Sequence, residues 1–316
     1  QETVRDGQVL SNGFFQSTIV DNTPAFILNN DFARLINFGQ IETNDAPAAV
    51  LADAEDIQVF NFRTGSIDAN GDVATGIEVT DGSSANIRNF GSIAGELNGV
   101  EFSGAGSSGT LDNFRGGVIS SVSRAVEIEG DGISVRNFGD IVGTGDQRNG
   151  NIYTNATAEN VSISNFSGGT IDAGEENSGA GISLQVGDEA GDVVSNSIFN
   201  GFGATIQGRG QEAANTGGAG DGIRIDDGAE GAVSDTDIVN SGLISSESNQ
   251  GTAGGIRIAD GVSAEGRILN TSTGVIEGVR NGLYIGEGDH DLDVLNFGTI
   301  QSSSRAVNID GTGVDL

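Results

Sequence analysis

Along most of the chain, apolar and polar residues alternate in short runs of period two, and turn residues separate the runs at regular intervals. Alternation of this kind places every second side chain on one face of an extended backbone, so each run reads as a short, half-buried β-strand. Helical spacing is absent over any useful length. One phrase recurs: an apolar residue, any residue, Asn, often Phe and Gly, then Ile. It is strict at Leu35-Ile36-Asn37-Phe38-Gly39, Ile87-Arg88-Asn89-Phe90-Gly91, Val135-Arg136-Asn137-Phe138-Gly139 and Val294-Leu295-Asn296-Phe297-Gly298. It loosens at Ile198-Phe199-Asn200, Ile238-Val239-Asn240 and Ile268-Leu269-Asn270.

The recurring asparagines from Asn37 to Asn296 are separated by 24, 28, 24, 24, 28, 35, 40, 30 and 26 residues. A fixed minimum with variable additions describes a coil that accepts loops at its corners, which is the signature of a solenoid. Between the asparagines lies a second phrase, small-apolar-any-apolar, as in Gly76-Ile77-Glu78-Val79, Ala125-Val126-Glu127-Ile128 and Gly255-Ile256-Arg257-Ile258. A third strand carries the isoleucine after each bend, from Ile41 to Ile300. Three short strands in about 24 residues predict an all-β fold, a right-handed single-stranded parallel β-helix of about ten or eleven coils, roughly 50 Å long. The whole chain, 1–316, reads as one solenoid domain. It has an irregular first coil over 1–24 and loop insertions near 142–150, 185–197, 207–221 and 245–254.

In such a fold no coil buries its apolar face alone, and the core runs continuously along the axis. The bend asparagines are expected to stack into an amide ladder and, because Asn tolerates left-handed backbone angles, to occupy them at the bend. Phe90, Phe114, Phe138 and Phe166 are expected to stack beside that ladder, buried.

The residue before each bend Asn points outward. It reads Arg88, Asp112, Arg136 in the middle of the chain, an expected salt-bridge ladder. Later it reads Phe199, Val239, Leu269, Leu295, an apolar stripe that is either an interface or the floor under a covering segment, 185–197 and 207–221 being the candidate covers. Glu78, Glu101 and Glu127 share one outward position on three successive coils, where a calcium ion, an arginine or water alone would relieve their repulsion. Arg224 and Arg257 occupy equivalent outward positions and read as surface residues. The segment Gly217-Gly218-Ala219-Gly220-Asp221 approximates a repeat calcium motif with its Asp one position early. The single histidine, His290, sits in the acidic segment Glu287-Gly288-Asp289-His290-Asp291 and reads as part of a solvated turn.

Composition narrows the function. The 52 glycines and only 2 prolines fit turn punctuation in a β-rich chain. A net charge of −31, with 45 acidic residues against 14 basic ones and no lysine, repels nucleic acid and anionic membranes. No apolar run is long enough to span a bilayer. With no cysteine there is neither a disulfide framework nor a thiolate metal site. The start at Gln1 and the absence of cysteine are expected of a secreted bacterial protein whose signal peptide has been removed.

The repeated Asn-Phe-Gly-x-Ile and Gly-Ile-x-Ile phrases resemble the passenger domains of bacterial autotransporters and related β-helical surface adhesins, over about residues 12–316. The resemblance implies export and display at the cell surface, and no activity. The expected function is therefore a non-catalytic structural or adhesive surface protein without a cofactor, calcium aside. Its expected partners are further copies of itself, in fibres or a layer, and a surface glycan. Lateral contact would use Phe199, Val239, Leu269 and Leu295; head-to-tail contact would use Val9, Leu10, Val314 and Leu316. The alternative is a carbohydrate-active enzyme, a lyase or glycoside hydrolase, on a β-helix.

Overall fold

The computed structural model describes all residues except 1, 4–7, 14–15, 144–149, 175–178, 188, 190–191, 211–219, 227–231 and 250. Among the described residues every regular element is a strand, and the strands form three sheets of 12, 12 and 11 members. Within each sheet the neighbours are parallel and come from successive coils, so the chain winds as a β-helix with three strands per coil. The second sheet carries the bend phrase, the third the isoleucine after it, and the first the small-apolar-any-apolar phrase.

The core is a set of aliphatic columns. Leu35, Val59, Ile87, Leu111 and Val135 succeed one another from the second sheet, Ile41 through Ile276 from the third, and Val50, Ile77, Val100 and Val126 from the first, all fully buried. A single coil cannot bury its apolar face alone, and stacking closes it.

The bend asparagines form one unbroken ladder. Each Nδ2 donates to the Oδ1 of the Asn one coil on, from Asn12 to Asn37 at 2.7 Å through to Asn270 to Asn296 at 2.8 Å. The same Nδ2 reaches a backbone carbonyl of the next coil, for example Val118 O from Asn89 at 3.1 Å. In the shorter bends Oδ1 also accepts from the N–H two residues on, as in Gly91 to Asn89 at 3.2 Å. Asn12 belongs to this series, so the ladder reaches into the coil expected to be irregular. The expected left-handed angles are not found: Asn22, Phe32, Asp45, Asp56 and Asn160 are the described non-glycine residues with positive φ, and no ladder residue is among them. Asparagine is required at the bend for its two-sided amide, not for its backbone freedom.

Two bend lengths alternate over most of the chain. The short bend runs Asn-Phe-Gly-x-Ile, as at Asn89 to Ile93; the long one inserts two residues, as at Asn113 to Ile119. The long bend closes with Gly117 N–H on Phe114 O at 2.7 Å and places Gly116 at φ +83°. In the short bend a Cβ on Gly91 would run into the Gly65 carbonyl of the preceding coil. The phenylalanine rings register the alternation. Phe38–Phe62, Phe90–Phe114 and Phe138–Phe166 stack with centroids 4.2–4.5 Å apart, whereas Phe62–Phe90 and Phe114–Phe138 stand 6.0 and 6.2 Å apart.

These rings stack as expected but are not fully buried: Phe90, Phe114, Phe138 and Phe166 are half-buried along the outside of the bend. Only the asparagine turns inward at this corner, and the next side chain must therefore turn out. A second difference lies at 185–197. Residues from 193 onward are not loop but the first half of an eight-residue strand, Val193–Asn200, and the second sheet keeps that width in Val233–Asn240, Ser263–Asn270 and Asp289–Asn296. Their alternation, Val194, Asn196 and Ile198 inward, is interrupted by polar side chains that hide it in the sequence.

The two ladders therefore differ in worth. Asn113→Ala removes the ladder bonds to Asn89 and Asn137, leaving each buried amide one partner short, and should cost about 3 kcal/mol. Phe114→Ala, at a half-buried ring, should cost about 1–2 kcal/mol. Denaturation of both variants should show the asparagine change as the larger; the reverse order would place the stabilising contact in the rings.

Candidate functional site

The outward column of the first sheet is the polar strip of the molecule. Its register runs Leu51, Glu78, Glu101, Glu127, Tyr153, Ser183, Arg224, Arg257, Tyr284, Asn308 without a break. The three glutamates are direct neighbours, as their spacing predicts. Asn98 bridges two of them: its Nδ2 donates to Glu101 at 3.0 Å and to Glu127 at 2.8 Å. Arg124 adds an ion pair to Glu127 and lays its guanidinium over the Tyr153 ring at 4.0 Å. Burial raises the pKa of Glu127, opposed by Arg124 and reinforced by Glu101. Burial also raises that of Glu78, with Glu101 and Asp53 adding to it. Among the described residues no group of three or more His, Asp or Glu side chains is arranged to hold a metal ion. Residues 217–219 of the calcium-like segment lie outside the described residues.

Further along the column the outward face is not solvent-facing. Arg224 is 2% exposed and Arg257 7%, against the expectation of two surface arginines. Their coils carry long connections, and residues of those connections, Asp221 and Ser248, are themselves fully buried. Arg224 pairs with Asp226 at 3.0 Å and donates to Ser183 Oγ at 3.3 Å. Arg257 faces Asp221 at 3.8 Å, too far for a hydrogen bond, while Gly254 N–H donates to the other Asp221 oxygen at 2.8 Å. Burial pushes the Asp221 carboxyl up to about 6, against the pull of Arg257 and Arg224.

The outward column of the second sheet has three parts. Phe60 lies between the guanidinium groups of Arg34 and Arg88, at 5.5 and 5.4 Å from the ring centre. The expected Arg88, Asp112, Arg136 ladder is present but lopsided: Arg136 grips Asp112 with two bonds of 2.6 and 2.7 Å, and Arg88 stands 4.0 Å away. Phe199, Val239, Leu269 and Leu295 then follow in direct register. Phe199 and Leu295 are 36% and 42% exposed, and the two between are half-buried. Of the candidate covers, residues 193–197 run in the strand itself, while 188, 190–191 and 211–219 lie outside the described residues.

The remaining candidates separate. Val9 and Leu10 lie in the strand Val9–Asn12, and Val314 in Thr312–Asp315, at opposite ends of the second sheet; Leu316 follows the latter. Val9 and Leu316 are exposed, and Leu10 and Val314 pack against the core. His290 is not in a solvated turn. It is 8% exposed within Asp289–Asn296, its Nδ1 accepting from Ala264 N–H and its Nε2 donating to Gly286 O, both at 3.2 Å. With both ring nitrogens bonded to backbone it has no lone pair to offer a nucleophile.

Tyr153 is the member of the first-sheet column that the repeat phrase misses, because Ile152-Tyr153-Thr154 ends on Thr154 where its relatives end on an apolar residue. Counting from Glu127 to Ser183 with one coil between them would have found it. No family model and no curated protein matches the chain. Among solved structures, a TibC-catalysed hyper-glycosylated TibA fragment is 15% identical over the full length of both chains, with a TM-score of 0.23. At that score the likeness carries no argument, and the architecture stands on the strand register.

The buried acid gives a pH signature. Because the folded value of Asp221 lies above its ordinary 3.8, the fold favours the protonated acid. The stability this confers is complete below about pH 4 and is lost as pH rises through 6. Between pH 7 and pH 5 the native protein should therefore gain stability relative to Asp221→Asn, as read from denaturation midpoints; parallel curves would mean that Arg257 holds the carboxylate ionised.

Proposed function

We propose that this chain is a non-catalytic rod of the bacterial cell surface, a structural or adhesive protein that associates with further copies through its side. The observation that carries this reading is the apolar stripe Phe199, Val239, Leu269, Leu295, on consecutive strands and partly open to water. Contiguous exposed apolar surface marks a contact face, and the exposed rings of Phe202 and Phe297 lie on the bends that immediately follow. The acidic charge supports a chain that stays soluble until such a face meets a partner.

A second reading, a carbohydrate-active enzyme, draws on the carboxylates and arginines of the first-sheet column. Glycoside hydrolysis needs two carboxylates on opposite sides of an open cleft. Glu101 and Glu127 instead share one amide donor on one side of the sheet, and the arginines beyond them are buried. Release of reducing sugar or unsaturated product from a polysaccharide panel would favour the enzyme.

The lateral contact is tested by charge insertion. The double variant Phe199→Asp and Leu295→Asp should remain folded, since both side chains point away from the core, and should lose self-association in sedimentation velocity and electron micrographs. A native chain that stays monomeric at high concentration, or a variant that associates as well as the native chain, would overturn the assignment.

A further inference from the structure

The third sheet carries an outward groove that none of the interactions described so far uses. It has a volume of about 440 Å³ and lies across the strands Thr205–Gly208, Leu243–Ser246, Val275–Gly278 and Thr299–Ser302. That size falls within the range of small-molecule sites, roughly 300–1,000 Å³. Its central column is Gln207, Ser245, Glu277, Gln301, one residue from each successive coil. The side chains are tied in pairs. Gln207 donates to Glu247 at 2.5 Å and Arg209 donates to Gln207 at 3.1 Å, making one wall. Gln301 donates to Glu277 at 2.7 Å, making the other. Each amide and carboxylate keeps capacity beyond these bonds, since a carboxylate accepts about four hydrogen bonds and an amide makes about four.

Between the walls lies Ser245. Its neighbours in the column are half-buried or exposed, but Ser245 is 5% exposed, and its hydroxyl has no hydrogen-bond partner among the described residues. A buried hydroxyl without a partner costs free energy, about 1–3 kcal/mol, unless something supplies the bond. Val279 adds an apolar edge, 38% exposed. Paired amides and carboxylates beside an apolar edge, over an unpartnered hydroxyl, match a ligand that offers hydroxyl groups in a row together with C–H faces. A sugar chain has that chemistry. The sign of the charge narrows it further: Arg209 offsets Glu247 at 3.5 Å, but Glu277 is bonded to a neutral amide, and on a chain of net −31 its carboxylate would repel a uronate or sulfated chain.

We propose that this groove is a binding site for a neutral oligosaccharide, with Ser245 and Glu277 as hydrogen-bonding contacts at its centre and Gln207 and Gln301 along its length. The site is independent of lateral association, which uses the second sheet. The experiment is an NMR or calorimetric titration of the full chain with cellotriose, maltotriose, mannotriose and trigalacturonate. At least one neutral trisaccharide should bind, and trigalacturonate should bind at least ten-fold more weakly. Ser245→Ala, which removes only the hydroxyl, and Glu277→Gln, which preserves side-chain shape, should each weaken the neutral ligand about ten-fold while circular dichroism stays native and the melting temperature does not fall. The double variant Phe199→Asp and Leu295→Asp should bind it unchanged, which separates this site from the stripe. Failure of every neutral trisaccharide to bind at millimolar concentration, equal binding of trigalacturonate, or binding indifferent to both groove variants would overturn the proposal.

Discussion

The asparagine ladder is the constraint on which the rest of the solenoid depends. Parallel strands have no hairpin to set their register, and a slip of one residue would exchange the core and solvent faces of every strand beyond it. A buried amide at each bend prevents the slip, because its donor must meet the amide of the following coil and its acceptor that of the preceding one. From Asn12 to Asn296 that condition is met at every coil, with donor–acceptor distances of 2.7–3.1 Å. An unmet amide in the core would cost more than one hydrogen bond contributes, so misregistered coils are penalised at the bend before the aliphatic columns are compared.

With the register held at one corner, the rest of the coil is free to vary. The 40 residues between Asn200 and Asn240 and the 24 between Asn89 and Asn113 return to the same ladder. Additions fall between the strands or lengthen those of the second sheet, and the strand-to-strand pairing continues on either side of them. The outward positions vary as freely: one column changes from a ring held between arginines, to an ion pair, to an apolar stripe, without any change inside. Chemistry on such a molecule is therefore written along columns of equivalent positions.

This division explains what could be read from the chain alone. The fold was legible because its determinants recur: the residue types of Asn37, Ile41 and Ile77 return in the same order on coil after coil. Facing was legible for the same reason, and Glu78, Glu101 and Glu127 are neighbours as expected. Solvent exposure was not. Arg224 points outward, as its position in the phrase requires, and is buried all the same, because period two distinguishes core from exterior but not bare exterior from covered exterior. His290 was hidden by the acidic residues around it, which alternate outward from an eight-residue strand and resemble a loop in composition. Phe114 failed in the other direction: a large apolar ring suggests the core, but the asparagine before it already occupies the inward position. Ser245 shows no signal at all in the sequence, since its interest lies in a missing partner.

The acidic charge joins the outer faces into one physical problem. A rod of net −31 is repelled by its own copies and by polyanions, so any lasting contact must be made where carboxylates are absent, neutralised or already occupied. The second sheet meets that condition over its last coils by presenting aliphatic and aromatic side chains, which gain from burial without a counter-charge. On the first sheet the acids are drawn inward: Glu127 is held by Arg124 and Asn98, and Asp221 is buried against Arg257. The third sheet keeps its carboxylates outward but bonds them to glutamines, Glu277 to Gln301 and Glu247 to Gln207 with Arg209 beside it, which leaves oxygen acceptors suited to hydroxyl donors and, at Glu277, hostile to anions. Each face thus answers the same repulsion with a different local chemistry, and the sequence of answers around the coil determines which kind of partner each side can hold.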